Sequence, residues 1–247
     1  MDIRHYLDAT YLKTIEDSGL SENQHLKVVE DFIFETIDGG FKLVMIRPNM
    51  VALARKMVQS SHSKVLVGTV IDFPNGDGDL STKIAEAEKA IADGADELDF
   101  VCNYQAFKEG NSNVVKEEIL VCTRLGLEHH KVVKWIIEVA ALTEKEIIQI
   151  SALIKNVVIQ HFKEECYQQV FVKSSTGFFK TNDNLPNGAT LPTIKMMLEN
   201  ASPLPIKAAG GVRTYDEAVE MIKLGVKRIG TSAAKTIAEG GTSSASY

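Results

Sequence analysis

Eight times along this chain a short run of β-prone residues is followed by a longer segment with helical spacing. The runs are His5–Leu12, Phe41–Arg47, Lys64–Ile71, Glu97–Val101, Val132–Glu138, Val170–Ser174, Pro205–Ala208 and Arg228–Thr231. The helical segments between them are Glu22–Ile37, Val51–Ser60, Leu80–Ala92, Val114–Leu125, Glu144–Val158, Leu191–Glu199 and Tyr215–Leu224, and Ser232–Glu239 follows the last run. Runs such as Leu43-Val44-Met45-Ile46 and Trp135-Ile136-Ile137 are almost continuously apolar, which suits strands covered on both faces. Such alternation implies a parallel α/β fold. Eight repeats in 247 residues favour a closed (β/α)8 TIM barrel. An open sheet usually carries a Gly-x-Gly-x-x-Gly turn after its first strand, and none occurs here. No linker or change of composition divides the chain, so one domain is expected over residues 1–247, with a flexible tail at about 240–247.

Local punctuation agrees with these boundaries. Thr143-Glu144-Lys145-Glu146 reads as a capping box. Thr214 precedes Asp216 and Glu217, a cap followed by acidic residues in the first turn. Gly94, Gly126 and Gly225 each stand where a helix is expected to stop. Lys155–Gln169 lacks clear periodicity, and a lengthened helix with an irregular turn is expected there.

Charge and cysteine usage exclude several function classes. With 27 basic and 33 acidic residues the net charge is −6, which argues against a nucleic-acid partner. No apolar run approaches the ~18 residues that span a membrane. The start Met1-Asp2-Ile3-Arg4-His5 has no apolar core behind it, so no secretory signal is expected and the cytoplasm is the default compartment. Cys102, Cys122 and Cys166 form neither a disulfide framework nor a zinc motif, and the six histidines have no metal-ligand spacing. No metal and no cofactor are expected. A homodimer is the default assembly by base rate.

The chemistry is carried by charged residues in strands. Lys134, Lys173 and Lys207 each lie in an apolar run, and Asp99 lies in Glu97-Leu98-Asp99-Phe100-Val101. A single strand lysine usually marks an exposed edge, but a closed barrel has no edge. An ordinary lysine, with a pKa near ~10.4, is almost never neutral at pH 7. Burial beside a second ammonium favours the free amine, the form that attacks a carbonyl. A nearby carboxylate can move protons. The loops after the last three strands add Ser174-Ser175-Thr176-Gly177, Gly210-Gly211 and Gly230-Thr231-Ser232, which offer hydroxyl donors and close backbone approach to an anion. Phosphate sites in barrels often follow strands seven and eight.

Phe171-Val172-Lys173-Ser174-Ser175-Thr176-Gly177-Phe178 resembles the active-site strand of the 2-deoxyribose-5-phosphate aldolases. Ile206-Lys207-Ala208-Ala209-Gly210-Gly211-Val212-Arg213 resembles that family's second-lysine strand, and Ala95-Asp96-Glu97-Leu98-Asp99-Phe100-Val101 its catalytic-aspartate strand. Weaker likeness covers Leu7-Asp8-Ala9-Thr10, Phe73-Pro74-Asn75-Gly76 and Lys134-Trp135-Ile136-Ile137-Glu138. The resemblance implies a class I aldolase that cleaves deoxyribose 5-phosphate, a small phosphorylated sugar, and releases acetaldehyde. It makes Lys173 the Schiff-base lysine, Lys207 the neighbour that depresses its pKa, and Asp99 the proton relay. Asp8, Thr10 and Lys134 would line the pocket, with Thr176, Gly177, Gly210, Gly211, Gly230 and Ser232 around the phosphate. Tyr247, at the chain end, would reach back to assist proton transfer. Three departures stand out: Met45 where the family often has a smaller residue, an insertion at Phe179–Asn187, and Cys166-Tyr167-Gln168-Gln169 before the Lys173 strand. The alternatives are an aldolase for another phosphosugar and a non-catalytic phosphosugar-binding barrel.

Overall fold

The computed structural model of the chain describes residues 1–182 and 185–242. After a 3-10 turn at Arg4–Tyr6 the elements follow in order: β1 (Leu7–Tyr11), α1 (Ile15–Ser18), α2 (Glu22–Asp38), β2 (Leu43–Ile46), α3 (Val51–Ser60) and β3 (Leu66–Ile71). Next come α4 (Leu80–Ala92), β4 (Glu97–Val101), α5 (Tyr104–Lys108), α6 (Ser112–Glu128), β5 (Val132–Ile136), α7 (Glu144–His161) and β6 (Val170–Lys173). The chain continues with α8 (Leu191–Ala201), β7 (Ile206–Ala209), α9 (Tyr215–Leu224), β8 (Arg228–Thr231) and α10 (Ala234–Ala238). The eight strands pair in sequence order, all parallel, and β8 closes on β1. This is the (β/α)8 barrel expected from the alternation.

Strand parity divides the buried residues into two sets. Outward positions such as Val44, Val67, Leu98, Phe100, Trp135, Val172, Ile206 and Ile229 pack under the helices in one large apolar cluster. The alternate positions point to the barrel axis. From β2 and β3 they bring Leu43, Met45 and Val70, which cluster with Leu12 beneath Phe73 and Phe178. From β1 and from β4 to β8 they bring charged side chains.

Several boundaries differ from expectation. His5 and Tyr6 belong to the 3-10 turn and not to β1. β5 stops at Ile136 because Glu138 takes a left-handed backbone, φ 56°. The Thr143 and Thr214 capping boxes are formed, and Gly225 ends α9. Gly126 does not end a helix: it lies inside α6, where a Cβ would stand 2.3 Å from Val133 Cγ2, so the glycine admits β5. The irregular stretch is α7 prolonged to His161, followed by a 3-10 segment, Glu164–Gln169. The last helix is only Ala234–Ala238, shorter than Ser232–Glu239. Thr242 forms an isolated antiparallel bridge with Thr214. Residues 243–247 lie beyond the described residues.

Met45 is accommodated by a glycine. Met45 pairs with Gly68 in the β2–β3 register. A Cβ on Gly68 would lie 2.8 Å from Met45 Cε and 2.9 Å from Leu43 Cδ1. Large residues on β2 thus require an empty position on β3. We expect Gly68→Ala to destabilise the protein by about 1–3 kcal/mol, the usual cost of overpacking. In a Met45→Ala background the same added methyl should cost clearly less, as measured by urea denaturation. Equal cost in both backgrounds would show that Met45 is not what the glycine makes room for.

Candidate active site in the barrel interior

The inward positions of six strands meet in one buried ion network. Lys173 Nζ on β6 donates to Asp99 Oδ2 on β4 at 2.8 Å, and Lys207 Nζ on β7 donates to the same oxygen at 2.8 Å. Lys134 Nζ on β5 donates to Asp99 Oδ1 at 2.6 Å and lies 2.7 Å from Glu97 Oε2. Lys207 Nζ also lies 2.7 Å from Asp8 Oδ2 on β1. Arg228 on β8 closes the ring, with Nε 2.7 Å from Asp8 Oδ1 and a two-pronged contact of 2.9 Å per bond to Glu97.

Sequence reasoning named Asp8, Asp99, Lys134, Lys173 and Lys207, and the fold brings all five together. It missed Glu97 and Arg228. Glu97 shares the parity of Asp99, and Arg228 that of Gly230, so the alternation held the signal. Their pairing, 131 residues apart, did not show locally.

The charges in this network do not balance. Asp8, Glu97 and Asp99 face Lys134, Lys173, Lys207 and Arg228, which leaves one cation in excess. Burial opposes ionisation of Asp99, but Lys134, Lys173 and Lys207 outweigh it and hold the carboxyl well below its usual range. Burial likewise works against the Lys134 charge, yet Asp99, Glu97 and Asp8 raise its pKa. Lys173 goes the other way. Burial, reinforced by Lys207 and Lys134 and only partly opposed by Asp99, brings it down to about 8. At pH 7 an amine with that pKa is neutral in roughly one molecule in ten, against about one in a few thousand for an ordinary lysine. Lys173 also keeps 3 % exposure, while Lys134 and Lys207 have none. Of the three amines it is the one that is both reachable and prepared to attack a carbonyl.

The mouth of the barrel is part apolar and part glycine-rich. Phe73 and Phe178 meet edge to face at 5.0 Å, and the Arg47 guanidinium sits 4.9 Å from the Phe73 ring centre. Gly177, Gly210 and Gly211 all have positive φ, between 76° and 86°, a region that side chains resist. The chain returns to this end just after Phe179–Asn187: Ala189 N–H donates to Gly210 O at 2.8 Å, and a Cβ on Gly188 would lie 2.5 Å from Gly210 Cα. Asp183 and Asn184, within Phe179–Asn187, are outside the described residues. Thr176 is buried at the top of β6, and Thr10 donates to its own strand at Asp8 O. Gly230 has a visible steric task, since a Cβ there would lie 3.1 Å from Lys207 Cε. Ser232 is half-buried just before α10, and the following Ala233 N–H already donates to Thr231 Oγ1. Tyr247 falls outside the described residues. Among the described residues no group of His, Cys, Asp and Glu is arranged to hold a metal, and no helix is long and apolar enough to cross a membrane.

Comparisons with known proteins agree with this geometry. Residues 12–237 match the model of the DeoC/LacD family aldolase. A deoxyribose-phosphate aldolase of Thermococcus gammatolerans is 37 % identical over 241 residues, covering 97 % of this chain and 96 % of its own. The solved structure of QR15, an aldolase, superposes with a TM-score of 0.80 at 34 % identity, covering 97 % of this chain and 95 % of that one. The tetrameric deoxyribose phosphate aldolase of Aeropyrum pernix superposes with a TM-score of 0.75 at 25 % identity, covering 96 % and 89 %. A barrel with a lysine of depressed pKa at its centre, matched over nearly its whole length, therefore belongs to the DeoC/LacD family of aldolases.

Proposed function

We propose that this protein reversibly cleaves 2-deoxy-D-ribose 5-phosphate to D-glyceraldehyde 3-phosphate and acetaldehyde through a Schiff base on Lys173. The observation that carries the reading is the Lys173 amine, brought down to about 8 and held 2.8 Å from Asp99. The neutral amine adds to the C1 aldehyde and loses water to give an iminium. Removal of the C3 hydroxyl proton then breaks the C2–C3 bond. Glyceraldehyde 3-phosphate leaves, and the electron pair stays on the lysine-bound two-carbon unit as an enamine. Protonation at C2 and hydrolysis release acetaldehyde. Asp99 holds no proton at rest, and in this scheme it takes the C3 hydroxyl proton through a water only transiently, before a proton is returned at C2. Asp8, Thr10 and Lys134 support the pocket wall. Thr176, Gly177, Gly210, Gly211, Gly230 and Ser232 form the phosphate end, and Tyr247 is the candidate proton donor from the tail.

The apolar half of the interior favours this substrate. Leu43, Met45 and Val70 line the wall on β2 and β3 and suit a carbon without a hydroxyl, such as C2 of a deoxysugar. We extend the reading to a cytoplasmic homo-oligomer, a dimer or larger. The three cysteines are unpaired, as in a reducing compartment, and the Aeropyrum pernix relative is described as tetrameric.

Acetaldehyde followed by borohydride should add one ethyl group, on Lys173 and on no other lysine, by peptide mass mapping. Labelling of Lys134 or Lys207 would overturn the assignment, and no labelling at all would favour a non-catalytic sugar-phosphate binder. Lys207→Leu removes a positive charge beside Lys173. Lys173 then holds its proton to higher pH, and the acidic limb of the kcat/KM profile should move up by about one unit. An unmoved limb with a lower plateau would make Lys207 a proton carrier and not the source of the shift. Ser232→Asp should raise KM for deoxyribose 5-phosphate at least tenfold and leave unphosphorylated deoxyribose nearly unchanged; equal losses would remove these loops from the phosphate site.

A further inference from the structure

Of the buried carboxylates, Glu118 and Glu138 lie outside the ion network, and Glu118 is paired with Lys83. Glu138 is 1 % exposed and sits just above β5, on the inward parity of Lys134 and Ile136. Its backbone is left-handed, φ 56°, which glutamate rarely adopts. Among the described residues, the non-glycine residues with positive φ that directly follow a strand end at the barrel mouth are Asp72, after β3, and Glu138, after β5. Such strain persists where the surroundings over-determine it, and it gathers at functional sites.

The hydrogen bonds explain the turn. Ile137 N–H donates to Lys173 O at 3.0 Å, and Val139 N–H donates to the next carbonyl, Ser174 O, at 2.9 Å. Two steps on one strand thus match one step on the other, and Glu138 is the extra residue of a bulge. Bulges re-aim a side chain. Here the carboxylate is aimed across at the segment after Lys173. Oε2 accepts from Thr176 N–H at 3.1 Å and from the Thr176 hydroxyl. The same Thr176 Oγ1 accepts from Phe178 N–H at 3.0 Å. One carboxylate oxygen therefore fixes three successive residues, Thr176, Gly177 and Phe178, around a glycine whose φ is 83°. Glu138, Thr176 and Phe178 also line a cavity of about 240 Å³ at the mouth, with Asn75, Tyr104 and Lys180. Burial pushes the Glu138 carboxyl up, against the pull of the Thr176 hydrogen bonds, so the group is held in place at a cost in solvation that a surface residue would not bear.

We propose that Glu138 is a positioning residue for the phosphate end of the site: through Thr176 it holds the Gly177 turn at a fixed place relative to Lys173. The proposal rests on the aldolase reading above and adds a residue to it. Glu138 acts here as a hydrogen-bond acceptor and not as a proton donor, so its charge is dispensable while its shape is not.

The experiment compares Glu138→Ala and Glu138→Gln with the native enzyme, on deoxyribose 5-phosphate and on unphosphorylated deoxyribose, alongside borohydride trapping with acetaldehyde and a melting curve. Glutamine keeps an oxygen for Thr176, so its constants should stay within a few-fold of native. Alanine should raise KM for the phosphorylated substrate about tenfold or more, the effect expected for losing two hydrogen bonds at about 1 kcal/mol each. It should change kcat/KM for deoxyribose much less and leave acetaldehyde trapping on Lys173 intact. Equal losses on both substrates, or a glutamine variant as poor as alanine, would overturn the proposal. If alanine lowers the melting temperature too far for assay, Thr176→Val, which removes only the hydroxyl, should show the same selective rise in KM; an unchanged KM there would also overturn it. Failure of the native enzyme to trap acetaldehyde would instead sink the aldolase reading.

Discussion

Three carboxylates, Asp8, Glu97 and Asp99, meet four cations, Lys134, Lys173, Lys207 and Arg228, all buried inside the barrel. Buried charge is tolerated only when it is paired and hydrogen-bonded. Arg228 bridges Asp8 and Glu97, Lys134 bridges Glu97 and Asp99, and Lys207 bridges Asp99 and Asp8. Each of these cations has two carboxylates. Lys173 has one, and it shares that oxygen with Lys207. It is therefore the group whose proton is most easily lost, and the reactivity of the site follows from this imbalance.

The network faces an apolar half of the interior. β2 and β3 contribute Leu43, Met45, Gly68 and Val70, with no ionisable side chain facing inward, and Phe73 and Phe178 cover them. Low polarity on that side strengthens each interaction on the other. Space is set by glycines on the same terms. Gly68 admits Met45, its partner in register, and Gly230 leaves room for the end of the Lys207 side chain. The large residue at 45 thus has a matching absence at 68.

Much of this was legible in the sequence, for a local reason. Strand alternation and helix capping depend on near neighbours, so the eight strands, the inward parity of Lys134, Lys173, Lys207 and Asp99, and the Thr143 and Thr214 caps could be read directly. Gly126 misled because a helix-stopping glycine and a packing glycine look alike until the strand that presses on it is known. Arg228 looked like an ordinary strand end, since nothing in its own neighbourhood announces Asp8, 220 residues away.

The sequence by itself determined the barrel, the pairing of lysines with an aspartate, and the glycine loops at the end of the last strands, because each is a pattern of spacing and residue type. Only the tertiary structure decided which charges share a layer. That depends on the register in which eight strands close, and closure sets Asp8 beside Arg228, Glu97 beside Lys134, and a bulged Glu138 over Thr176. The one unbalanced lysine exists only once all seven groups are in the same place.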